Sequence, residues 1–128
     1  MAVRIVRLGT PRRPGEGLRI GTVRRPPRGV PKAEYAKKDW FDVWLPNVAP
    51  SAALMRETDI LKKPGAWPVF ARRYEAELKQ PDAAHLLDTL AALSLTTDFA
   101  IGCYCDDERR CHRSILRRVL AARGAAVV

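Results

Sequence analysis

Residues 103–114 read CYCDDERRCHRS, and this stretch holds all three cysteines of the chain and one of its two histidines. Thiols, an imidazole and guanidinium groups at this density could ligate a metal, supply a nucleophile or hold an anion. The plainest alternative is a strand end and a helix start with small thiols filling the core. Spacing begins to separate these readings. Structural zinc needs four ligands converging on one ion, and Cys103, Cys105, Cys111 and His112 are the right residue types. However, one residue rather than two separates Cys103 from Cys105, and the adjacent Cys111 and His112 would have to aim consecutive side chains at one point. On spacing, no metal is expected.

Cys103 and Arg109 stand in the C-x5-R relation of thiol phosphatases, but Asp106, Asp107 and Glu108 lie between them. A phosphate cradle needs bare backbone amides and positive charge, and three acids would repel the substrate. Cys111 is different. A helix beginning near residue 111 puts its thiol at the positive end of a helix dipole beside Arg110, His112 and Arg113, which favours thiolate. The same arrangement offers an anion free N–H groups, the Arg113 fork and the titratable His112 ring. Against this stands a structural clamp, in which His112 and Arg113 pair with Asp106, Asp107 or Glu108 and tie down the loop. Both readings remain open, with Cys111 and His112 the candidates for chemistry and Arg113 for ligand binding. His85 has no partner in sequence and reads as a partly exposed helix residue.

The elements that must position these residues follow from periodicity. VRIVRLG (3–9) and LRIGTVRR (18–25) alternate as half-buried strands do, separated by turn chemistry in TPRRPGEG (10–17). PPRGVPK (26–32) cannot be regular, because its prolines lack amide donors, and it reads as a basic surface loop. A short extended segment is expected within 39–51, then a helix opened by Pro50 and Ser51. Trp67, Phe70, Tyr74 and Leu78 form one helical stripe, Pro81 restarts the chain, and Leu86, Leu87, Leu90 and Leu93 give the next helix its face. DFAIGCYC (98–105) reads as a central strand, apolar on both faces. SILRRVLAARG is a helix with Ile115, Leu116, Val119 and Leu120 inward and Gly124 at its end, and AAVV offers one more strand. Strands alternating with helices predict a single α/β domain over residues 1–128, a small, mostly parallel sheet flanked by helices. Ligands of such sheets gather at the carboxyl ends of the strands, where the Cys-His-Arg helix start would lie.

Composition sets the outer bounds. A chain of 128 residues that is 47% hydrophobic suits one domain with a real core. No run approaches a membrane span, and MAVRIVRLGT is too broken by charge to be an export signal, so a reducing cytoplasm and free thiols are expected. Residues 1–38 carry 11 Lys/Arg against two acids, whereas 39–128 carry 12 of each sign, so the net charge of +9 sits in the first third. Such a block attracts polyanions, an anionic small molecule or nucleic acid. It could instead be a solvated basic face. Nothing in the sequence calls for a cofactor.

The order of motifs resembles the YeaO-like family, a domain of unknown function numbered 488, over nearly the whole chain. A strand ending in cysteine, seven residues, then Cys-His-Arg matches Cys103, Cys111, His112 and Arg113. Ala49–Ser51 and the W-x2-F-x3-Y-x3-L frame of Trp67, Phe70, Tyr74 and Leu78 match as well. PRGV at 27–30 is similar to the family's D-R-L-W-P-R-G, which implies that Arg24 and Arg28 belong to the site. Val23 replaces that motif's acid, Pro26 its tryptophan, and Cys105 a frequent glutamate. The resemblance implies a fold and a site, and it transfers no activity. Three readings follow: an anion or phosphate site that acts on a nucleotide or nucleic acid, a non-catalytic nucleic-acid module using the basic first third, and a degenerate member with a structural role only.

Overall fold

The computed structural model describes residues 1–128. Strands β1 (Val3–Arg7), β2 (Leu18–Gly21), β3 (Val43–Trp44) and β4 (Phe99–Cys103) form one all-parallel sheet in the order β1-β4-β2-β3. Helices α1 (Ala52–Thr58), α2 (Trp67–Leu78), α3 (Pro81–Ser94) and α4 (His112–Ala122) complete the α/β fold. Every residue of β4 is buried, as an apolar strand between two neighbours must be. It pairs with β1 from Val3–Phe99 to Arg7–Cys103 and with β2 from Leu18–Phe99 to Gly21–Gly102.

One face of the sheet presents Val3, Ile20, Phe99 and Ile101 to a core built with Leu54, Phe70, Tyr74, Leu87, Leu90, Ile115, Leu116 and Leu120. All four helices contribute to that core, on one side of the sheet. The other side is covered by coil. Phe41 lies directly against Gly21, where a Cβ would stand 2.3 Å from the ring. Only glycine admits that contact.

The coil is anchored by a buried charge pair. Arg19 of β2 is 0% exposed. Its Nε and one terminal nitrogen donate to the two carboxylate oxygens of Glu16 at 2.8 and 2.9 Å, and the other terminal nitrogen donates to the carbonyls of Thr10 and Asp39. A bidentate pair of this kind fixes orientation as well as charge. Arg12 is held in turn by Asp42, with Asp39 nearby. Two arginines of the basic first third are therefore committed to ion pairs within the protein.

Several elements differ from the sequence expectation. β2 stops at Gly21 because the next residues turn into the loop that carries Arg24–Arg28, and β3 shrinks to two exposed residues. AAVV makes a single parallel bridge, Val3 to Val127. The inner face of α3 is Ala83, Leu87, Leu90, Ala91 and Ser94, while Leu93 is exposed. Gly124, at φ +88, does follow the last turn of α4. No helix is long and apolar enough to cross a membrane.

Candidate functional site

A cavity of about 1100 Å³ opens at the carboxyl ends of β1, β2 and β4. Its walls come from Arg7–Thr10 after β1, Val23–Arg28 after β2, Trp40, one side of α1, Cys103–Cys105 at the end of β4, and His112. Because β4 lies between β1 and β2, the cavity sits where chain connections leave in different directions, the usual crevice of a parallel sheet.

Five arginines face this cavity, Arg7, Arg24, Arg25, Arg28 and Arg56, against one acid, Asp59. Arg7 pairs with Asp106. Arg24 spans to the start of α1, donating from Nε to the Pro50 carbonyl and from a terminal nitrogen to that of Ala49. Arg25, Arg28 and Arg56 are exposed and carry no carboxylate partner. Aromatic surface lies beside this charge. Trp40 meets Tyr104 edge to face at 5.7 Å, Tyr104 donates to the Arg25 carbonyl, and the buried Trp40 indole N–H has no acceptor within the protein.

At the floor, the thiols gather. Cys103 and Cys105 sulfurs are 3.7 Å apart, and Cys111 Sγ is 3.9 Å from His112 Nδ1. Ligand atoms of Cys103, Cys111 and His112 all lie within 4.8 Å of one another. Nε2 of His112 donates to the Thr22 carbonyl at 2.7 Å, which leaves Nδ1 facing the Cys111 sulfur. The ring also rests edge-on against Tyr74. Among the three thiols, Cys111 is the one whose pKa is lowered. Hydrogen bonding from Cys103 and then Cys105 lowers its pKa against the effect of burial, with His112 adding to the stabilisation. Cys103 is held as thiol by donating to Cys105 and Cys111 and by burial. Cys105 is pushed up to about 11: Cys103 favours its thiolate, but donation to Cys111 and burial outweigh that.

The structure therefore brings together Cys103, Cys111 and His112, with Cys105 beside Cys103, although their spacing argued against convergence. Of the sequence-predicted site residues, His112, Arg24 and Arg28 line the cavity, whereas Cys111 and Arg113 do not. Arg113 is 4% exposed, directed at the Cys105 carbonyl, with its Nε unpartnered. The loop clamp is built differently from the one considered above. Asp106 pairs with Arg7, Asp107 with Arg109 and Glu108 with Arg117, and neither His112 nor Arg113 takes part. Arg109 is 90% exposed, remote in role from Cys103.

Arg7, Arg56, Trp40, Tyr104 and Thr22 also belong to this region and were not singled out by sequence. Arg25 stood beside Arg24 in the basic loop, but nothing local to Arg56 or Trp40 signals that α1 and the 35–41 segment close over the strand ends.

Fold and site together define a parallel α/β protein with an arginine-walled cavity over a thiol–imidazole floor. Residues 3–124 match the family model described as "Active DUF488-N3 subclade", and the chain belongs to this DUF488/YeaO-like family. No curated protein and no solved structure matches it.

Proposed function

We propose that the protein binds a phosphate-bearing ligand, of nucleotide class, in the cavity at the carboxyl edge of the sheet. The observation that carries this reading is the group of exposed cavity arginines, Arg25, Arg28 and Arg56, that lack a carboxylate partner. Guanidinium groups recognise phosphate through paired N–H donors, and like charges held together without counter-ions favour an anion between them. Trp40 and Tyr104 add aromatic surface suited to a base or sugar, and the unpartnered indole N–H supplies a donor.

The family description as "active" supports a reaction on the bound ligand. His112 is the cavity residue suited to chemistry, with Cys111 behind it. Because Nε2 of His112 is committed to Thr22, any role in proton transfer would use Nδ1.

Titration with inorganic phosphate, ADP and a single-stranded oligonucleotide, followed by tryptophan fluorescence and calorimetry, tests the reading. Arg28→Ala, at an exposed position, is expected to weaken phosphate and ADP binding by about tenfold, roughly 1.4 kcal/mol, without changing stability. If neither ligand binds at low salt, or if Arg28→Ala binds ADP as the parent does, the reading fails. Binding of the oligonucleotide alone would favour a nucleic-acid module instead.

A further inference from the structure

We infer that Cys103, Cys105, Cys111 and His112 form a tetrahedral zinc site beneath the cavity. This site leaves anion binding itself untouched, since none of the unpaired arginines takes part in it, but it would take Cys111 and His112 out of any chemistry on the bound ligand.

The geometry makes the case. Two sulfurs bound tetrahedrally to zinc at ~2.3 Å stand about 3.8 Å apart. Cys103, Cys111 and His112 already hold their ligand atoms within 4.8 Å of one another, and Cys105, outside that trio, has its sulfur 3.7 Å from that of Cys103 and would swing in as the fourth ligand. The Cys111 Sγ to His112 Nδ1 separation of 3.9 Å needs only a small contraction to bridge one ion. The one-residue gap that counted against zinc in sequence is accommodated at the strand end. β4 ends at Cys103 and the chain bends at Tyr104, and this bend brings the Cys105 sulfur to 3.7 Å from that of Cys103. The adjacency of Cys111 and His112 is resolved by a change of backbone. Cys111 is extended, at φ −124 and ψ 150, and His112 opens α4, so the second side chain folds back toward the first.

Two features of the surroundings fit a metal better than packed thiols. The Thr22 carbonyl accepts the Nε2 proton of His112, the outer hydrogen bond that orients a ligating imidazole and leaves Nδ1 for the ion. Arg113 is buried without a carboxylate in contact, and its Nε lacks any partner. A buried guanidinium requires a compensating anion. Zinc with three thiolates and a neutral imidazole carries one net negative charge, and it would lie next to this arginine. With four protein ligands the coordination sphere is closed, so the ion would lock β4, the Thr22 turn and α4 together under the cavity.

The test is cobalt and zinc titration of the reduced, metal-free full chain under anaerobic conditions. One equivalent of Co2+ should produce the thiolate-to-cobalt charge-transfer absorption and the visible bands of tetrahedral cobalt. One equivalent of Zn2+ should remove them, and zinc loading should raise the thermal unfolding midpoint. Cys105→Ser, at a half-buried position that leaves the core intact, should weaken Zn2+ binding more than about tenfold, as should Cys111→Ser. Arg28→Ala should leave the cobalt spectrum unchanged, so failure of this site and failure of the anion reading are separate results. Absence of the charge-transfer band in the parent protein would overturn the inference. So would a spectrum and affinity unchanged by Cys105→Ser or Cys111→Ser. The parent titration decides the matter even if a variant does not fold.

Discussion

Glu16 and Arg19 show how far a single charged residue can depart from its sequence appearance. Both occur in the basic first third, where arginine reads as a surface residue, yet Arg19 is fully buried and Glu16 almost so. Burial alone would raise the Glu16 pKa, but the hydrogen bonds and charge of Arg19 prevail and hold it below its ordinary 4.5. A carboxylate with a depressed folded pKa stabilises the fold above its unfolded value, and that contribution disappears as pH falls through the folded one. Acid unfolding should therefore include a Glu16 component that sets in below pH 4.5. Glu16→Gln leaves the Arg19 charge buried and uncompensated, with an expected loss of ~3–5 kcal/mol at neutral pH by urea denaturation. That variant should also have a flatter stability profile in acid, and equal midpoints for variant and parent at pH 7 would contradict the assignment. The pairing was not legible because the i, i+3 spacing normally marks a surface helix, whereas here a turn folds Glu16 back onto β2. The same limit applied to Cys103 and Cys105, whose approach depends on the bend at Tyr104 just past the strand end.

Elements with a strong internal pattern were legible. β4 announced itself by being apolar on both faces, and α2 by the Trp67–Leu78 stripe, because burial imposes its period directly on the sequence. The side of the sheet taken by the helices was not, since periodicity gives a buried face and not its partner. The junction of α1 with α2 illustrates what holds the cavity wall. Ser51 caps α1 by accepting from the Leu54 amide at 3.0 Å, while its hydroxyl and amide both donate to Glu77 of α2. Ser51→Ala should lower stability by ~1–2 kcal/mol through the lost cap and the stranded carboxylate. Ser51→Thr should recover most of this in denaturant titrations. Since Met55 and Arg56 of α1 line the cavity, the alanine variant should bind phosphate more weakly as well.

At the scale of the whole molecule, the charge asymmetry survives in reduced form. Arg12 and Arg19 are tied up internally, while Arg13, Arg25, Arg28, Lys32, Lys37 and Lys38 remain exposed. Charge reversal at Arg13 and Arg25 is therefore the clean probe of polyanion contact, because Arg12 would disturb Asp42 as well. If the basic face docks nucleic acid, Arg13→Glu with Arg25→Glu should reduce both oligonucleotide affinity and the slope of affinity against salt. A salt-independent affinity would exclude that mode.

The sheet order also dictates a schedule. β1 and β2 never pair with each other, and each finds its partner in β4, which begins at Phe99. A ribosome that has released the first 98 residues has made three strands, of which only Ile20–Gly21 and Val43–Trp44 can pair. Long-range closure of this kind is slow and all-or-none, since little is gained before the late strand arrives. A fragment comprising residues 1–98 should show poorly dispersed amide resonances and no cooperative urea transition. The segment that inserts last also carries Cys103 to the cavity floor. Maturation of the cavity and completion of the sheet are thus one event, and the nascent chain has no native-like stage in which it could capture ligand early.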